Sequence, residues 1–151
     1  MKKYTFYLSF IPPSKANRIK INSRIYTKSG KRYVVPKDVS LKINKAVWEL
    51  EIQNEKYNIF FEEPVEVNIL FILPTRRRRD LDNIMKTLGD CLVTAKIIKD
   101  DDLIYKQTLE KVYLPKKEGV IIDIKKYKNR NKEIPFDKLE NFIRGFDGNN
   151  D

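Results

Sequence analysis

Six aspartates fall within one short stretch of this chain, in PTRRRRDLDNIMKTLGDCL and the KDDDL that follows it: Asp80, Asp82, Asp90, Asp100, Asp101 and Asp102. They stand beside four consecutive arginines, Arg76, Arg77, Arg78 and Arg79. One chemistry accounts for both signs of charge. Arginine neutralises phosphates, while carboxylate oxygens hold Mg²⁺, a hard cation that prefers oxygen ligands and keeps several waters. If Asp80 is still extended, its side chain and that of Asp82 point to the same side, about 6 to 7 Å apart by strand rise. Inside a helix they would diverge, so the pattern predicts that regular helix begins at or just after Asp80, with Asp82 in its first turn. Lys86 follows Asp82 by four residues, which places it on the same helix face, within reach of a scissile phosphate. Two carboxylates are few for a metal that must also activate a water. The helix leads away and the chain must return, so the third acid is expected from Asp100 to Asp102, with Asp101 the first choice and Asp100 or Asp102 the alternatives.

What is missing narrows the chemistry further. The chain has no histidine and one cysteine. This excludes Ser-His-Asp and Cys-His catalysis, Cys/His zinc sites and nucleases with a histidine base. Cys91 falls in an apolar helical pattern and reads as a core residue in a reducing compartment. No apolar run approaches the roughly 20 residues of a membrane helix, and MKKYTFYLSF does not read as a signal peptide, so no membrane contact and a cytoplasmic location are expected.

The positive charge is unevenly placed. The formal net charge is +10, from 31 Lys and Arg against 21 Asp and Glu, and residues 1 to 37 hold ten basic residues and no acid. Within that quarter, PPSKANRIKINSRIYTKSGKRYVVP interleaves cations with Ser, Asn, Thr and Tyr, the side chains that contact phosphate, sugar and stacked bases. Candidate polynucleotide contacts are therefore Lys15, Asn17, Arg18, Lys20, Arg24, Lys28, Lys31 and Arg32, together with Arg76 to Arg79.

These residues need elements to position them. Residues 3 to 11 alternate as a strand that Pro12 and Pro13 stop, and loop follows. Ile25, Tyr26 and Tyr33 to Val35 flank TKSGKR, a hairpin with Gly30 near its turn. Val39, Ile43, Ala46, Val47 and Leu50 follow the helical period, predicting helix from about 38 to 56. Pro64 opens the strand VEVNILFIL, whose apolar end places it centrally in a sheet. Ile84, Leu88, Cys91, Leu92 and Ala95 mark the second helix. Strands near 103 to 114 and 119 to 126 complete a single α+β domain, a mixed sheet of about four strands flanked by two main helices. Residues 1 to 128 form this domain. Residues 129 to 151 read as a polar C-terminal appendage with a short amphipathic helix at 136 to 146.

Taken singly, the acids could cap a helix or lie in a solvated turn, and the basic quarter could be a solvated surface. Their conjunction with the arginine run, in a chain without histidine, favours metal-assisted cutting of a polynucleotide. RRRRDLDNIMK, the acids at 100 to 102 and the early PPSKANR resemble the RusA family of Holliday junction resolvases, over roughly residues 3 to 125. The resemblance implies a Mg²⁺-dependent endodeoxyribonuclease of DNA recombination and repair, with Mn²⁺ able to substitute. It also implies a homodimer that makes paired symmetric cuts in a four-way junction and leaves 5′-phosphate and 3′-hydroxyl ends. Carried over by motif, Asp80 and Asp82 are the paired catalytic aspartates, Lys86 the site lysine, Asp101 the third acid, and Asp90 a supporting acid. Where the family often has an aromatic or apolar residue before DD, this chain has Lys99 and three aspartates. Members of the family are often carried by phages and prophages. Competing expectations are a non-catalytic nucleic-acid-binding protein, a metal nuclease acting on other branched DNA or RNA, and a structural protein whose basic surface binds an acidic partner.

Overall fold

Every second side chain of the strand Val65–Leu73 is buried, and the intervening ones are only partly so. That alternation is what a strand produces when one of its faces meets a core. The computed structural model describes residues 2–14, 20–27, 30–34, 37–129 and 133–148, with backbone alone described for the strands between 20 and 34. In chain order the elements are β1 (Tyr4–Leu8), β2 (Lys20–Thr27), β3 (Gly30–Val34), α1 (Lys37–Tyr57), β4 (Val65–Leu73), α2 (Leu81–Thr94), β5 (Ile104–Tyr113), β6 (Gly119–Lys126) and α3 (Phe136–Gly148). A single 3₁₀ turn, Asp101–Leu103, separates α2 from β5.

Four strands form a mixed sheet in the order β1-β6-β4-β5. β4 pairs in parallel with β5 and antiparallel with β6, and β1 pairs antiparallel with β6. The parallel pair requires a crossover, and α2 supplies it. This β4-α2-β5 unit carries most of the acidic motif. α1 and α2 pack together, and the core lies between them and one face of the sheet. It joins Phe6, Leu8, Val67, Phe71, Ile122 and Ile124 to Leu50 of α1 and to Leu88, Cys91 and Leu92 of α2. Cys91 is buried.

The α+β class, the central position of β4 and both main helices agree with the sequence. One point is corrected. Residues 20–24, expected as loop, begin β2, which pairs with β3 through a register shift between Asn22 and Tyr26. KINSR carries one apolar residue in five, so no period could mark it as strand. β4 lies between β6 and β5, as its apolar end predicts, with Leu70 and Ile72 on the face away from the core and only partly covered.

Candidate active site

The first turn of α2 is built around Asp80. This residue is the helix N-cap, with extended backbone at φ −90° and ψ 102°. The Asp82 amide donates to its Oδ1 at 3.1 Å, and the Asn83 side-chain amide donates to its Oδ2 at 2.8 Å. A carboxylate there satisfies an orphan N–H and complements the positive end of the helix. The helix thus begins immediately after Asp80 with Asp82 in its first turn, as the spacing of the acids requires. Asp82, Lys86 and Gly89 then follow at steps of four and three, on one face of α2.

The return of the chain is equally well determined. Lys96 adopts a left-handed conformation, φ 60°, just past the helix end, and the Ile97 amide donates to the Leu92 carbonyl at 3.0 Å. Ile97 and Ile98 are fully buried. The Phe61 amide donates to the Ile97 carbonyl and the Lys99 amide to the Phe61 carbonyl, both at 2.9 Å, which fixes this segment against the residue preceding β4 by four. Asp100 caps the 3₁₀ turn by accepting from the Asp102 amide at 3.2 Å.

Asp101 consequently lies against α2 where the helix is thinnest. A Cβ built on Gly89 would sit 3.6 Å from the Asp101 Cβ and 4.0 Å from its Oδ2. A hydrogen bond with Asp100 holds the Asp101 carboxyl above the usual carboxylate range, and burial and repulsion from Asp100, Asp90 and Asp102 act in the same direction. Asp100 is held below that range, first by the Asp102 amide and then by Asp101. The opposite directions of the two shifts reflect negative charge crowded at this turn.

Asp82, Lys86 and Asp101 line one cavity, together with Tyr105 and Gln107 of β5. Asp80 and Asp82 line an adjoining one with Arg78, Arg79 and Lys111. Asp82 thus belongs to both. Asp100 and Asp102 are engaged in the 3₁₀ cap, whereas Asp101 alone of the three lines the cavity. Among the described residues no three acid or thiol side chains are gathered into a ready-made metal cage. The donor chemistry nonetheless suits Mg²⁺, which is commonly held by one or two carboxylates, waters and the phosphate of a substrate.

Lys111, Gln107, Tyr105, Asn83 and Gly89 were not singled out from the sequence. β5 offers no signal for its part in the site: it is an edge strand without a fully buried residue, so no alternation in its sequence marks the positions beside α2. Arg77, Arg78 and Arg79 line a further cavity with Asp80, whereas Arg76 stacks on the Tyr113 ring at 5.5 Å. Lys20 and Arg24 lie on β2, and Lys31 and Arg32 on β3, placed by their backbones. Lys15, Asn17, Arg18 and Lys28 fall outside the described residues. Among the described residues no helix is long and apolar enough to cross a membrane.

Comparison with known proteins agrees with the geometry. The family model described as Endodeoxyribonuclease RusA matches residues 12–125. A crossover junction endodeoxyribonuclease RusA from Aquifex aeolicus (strain VF5) is 37% identical over 129 residues, covering 85% of this chain and 96% of the relative. A protein of the same name from Enterobacteria phage HK97 is 33% identical over 102 residues, covering 68% of this chain and 77% of the relative. With helix, acids and return segment arranged as described, and with these matches across most of its length, the chain belongs to the RusA family of endodeoxyribonucleases.

Proposed function

We propose that this protein is a structure-selective endodeoxyribonuclease that resolves four-way DNA junctions. In this reading it acts in the cytoplasm as a homodimer that makes one cut on each of two opposed strands. The observation that carries the reading is the cavity in which Asp82 and Lys86 of α2 face Asp101, beside a second cavity lined by Arg78, Arg79 and Lys111. Acids of a nuclease site are tolerated next to DNA only if cations neutralise the phosphates they approach, and here the two kinds of residue alternate along one surface.

Each residue has a role that its position supports. Asp80 and Asp82, with Asp101 as the third acid, would hold Mg²⁺; when bound, it supplies an acidified water and a positive charge at the phosphate. Lys86 presents its ammonium to the non-bridging and leaving oxygens of the scissile phosphate, where charge grows as the bond breaks. Asn83 keeps the Asp80 carboxylate turned toward its own helix end. Arg78, Arg79 and Lys111 hold the flanking backbone.

The test is cutting of a synthetic four-way junction against linear duplex of the same sequence, with Mg²⁺ or with EDTA. Junction cutting in Mg²⁺ alone, leaving 5′-phosphate ends, is expected. Asp82→Asn should lower cutting by at least about 10²-fold while junction binding is kept or tightened, because the change removes a metal ligand and a negative charge near DNA. Wild-type cutting by Asp82→Asn, or equal cutting in EDTA, would defeat the assignment.

A further inference from the structure

A polar cavity of about 510 Å³ lies on the other side of Asp80, and five separate parts of the chain build it. Ser14 comes from the segment after β1, Lys42 from α1, Arg77 to Arg79 from the approach to α2, Ile84 from α2 itself, and Glu118 from the turn before β6. Two observations say what it is for. The Ser14 hydroxyl oxygen is buried and, among the described residues, has no hydrogen-bond partner. A buried hydroxyl in that state has given up water without return, which native folds seldom leave unexplained. The second observation is charge. Four cations face two acids, Asp80 and Glu118, and among the described residues none of the four makes an ion pair. Both acids are already engaged, Asp80 by the α2 cap and Glu118 by the Ile11 amide at 3.1 Å.

We infer that this cavity is a subsite for one backbone phosphate of the DNA, flanking the phosphate that is cut, with the Ser14 hydroxyl as hydrogen-bond donor and Lys42 and Arg77 to Arg79 as counter-charges. The inference rests on the nuclease reading and extends it by placing a second phosphate. Serine hydroxyls and arginines are ordinary partners of phosphate oxygens. Asp80 borders both this cavity and the one it shares with Asp82, so an anion here is adjacent to the cutting site and distinct from it. Glu118 has a different part: by holding the Ile11 amide it sets the path of the chain that carries Ser14. Register on the strand is what such an anchor provides, because phosphate contacts position a protein without reading bases.

The experiment pairs protein variants with DNA in which a single phosphate is made uncharged. Four-way junctions carrying one methylphosphonate at successive positions around the cut site are titrated with wild type, Ser14→Ala and Lys42→Ala in EDTA, so that nothing is cleaved. One position is expected to weaken wild-type binding about ten-fold, as loss of a charge-assisted hydrogen bond should. At that position the variants, already weakened on natural DNA, should lose nothing more. Lys42→Ala should also reduce the slope of log affinity against log salt by about 1. Thermal melts that match wild type show that Ser14→Ala folds, as expected for removal of a hydroxyl without a partner. Losses that add at every position, or Ser14→Ala binding natural junction like wild type, overturn the subsite. Wild-type cutting with additive losses overturns the subsite alone. Failure to bind any of these DNAs overturns it together with the nuclease reading.

Discussion

Asp80 carries two loads at once, and they can be separated. Its carboxylate closes the end of α2 by accepting from the Asp82 amide and the Asn83 side chain, and it borders both the cavity it shares with Asp82 and the one lined by Ser14 and Lys42. Asparagine caps a helix about as well as aspartate but brings no negative charge, whereas alanine does neither. Asp80→Asn is therefore expected to unfold in urea within about 0.5 kcal/mol of wild type while cutting falls as steeply as for Asp82→Asn. Asp80→Ala should in addition lose about 1 kcal/mol, the usual value of an N-cap. Urea midpoints measured beside junction cleavage decide the matter, and an active Asp80→Asn protein would reduce Asp80 to a structural cap. This double role was only half visible in the sequence. The acids and their spacing placed the helix start, but the engagement of Asp80 by Asn83 depends on side-chain directions in the first turn, which spacing does not specify. Asp101 is a similar case: three consecutive aspartates look alike in a string of letters, and only the 3₁₀ turn, in which Asp100 accepts the Asp102 amide, separates their roles.

Between elements, the site depends on how closely the Asp101 turn can approach α2, and Gly89 sets that distance. A glycine in a helix interior costs about 0.5 to 1 kcal/mol relative to alanine, so its presence in a buried stretch of α2 calls for a reason of packing. A Cβ at Gly89 would make ordinary contact with Asp101 at 3.6 Å, while anything longer would occupy the space of that carboxylate. Gly89→Ala should then keep cutting within a few-fold of wild type and match or exceed its stability by up to about 1 kcal/mol. Gly89→Leu should still fold, since the cavity beside it is open to solvent, but lose cutting by pushing Asp101 out. Thermal melts read beside cleavage rates test this pair, and a fully active Gly89→Leu enzyme would remove Asp101 from the site. The helices, the central strand and the last two strands were legible because each has an apolar period that burial then satisfies, as the alternating burial of β4 shows. The positions of Lys111 and Gln107 were not, for a physical reason. β5 is an edge strand with no fully buried residue, so its sequence carries no alternation strong enough to say which side faces α2.

At the scale of the whole molecule, the division into a nuclease body ending at residue 128 and an appendage from 129 to 151 is a proposal that truncation can test. α3 has no buried residue, although Phe136, Leu139, Phe142, Ile143 and Phe146 form an apolar stripe along it. The family match ends at residue 125, one residue before the end of β6. Every residue of the core cluster also precedes that point. Removing residues 129–151 therefore takes away no core packing, and it removes four basic and five acidic residues, leaving the positive charge that attracts DNA essentially unchanged. The shortened chain should melt within about 4 °C of the full one, the shift that roughly 1 kcal/mol produces in a domain of this size. It should cut four-way junctions at a similar rate and retain the steep loss of affinity with salt that phosphate contacts impose. Loss of the exposed apolar stripe should also lower self-association at high concentration, since contiguous exposed apolar surface promotes contact between copies. Calorimetry, cleavage and light scattering on the two chains test these outcomes together. A melting point lower by ten degrees or more would show that α3 packs on the body in solution, and lost cutting with unchanged melting would assign the appendage to the DNA or to the partner subunit.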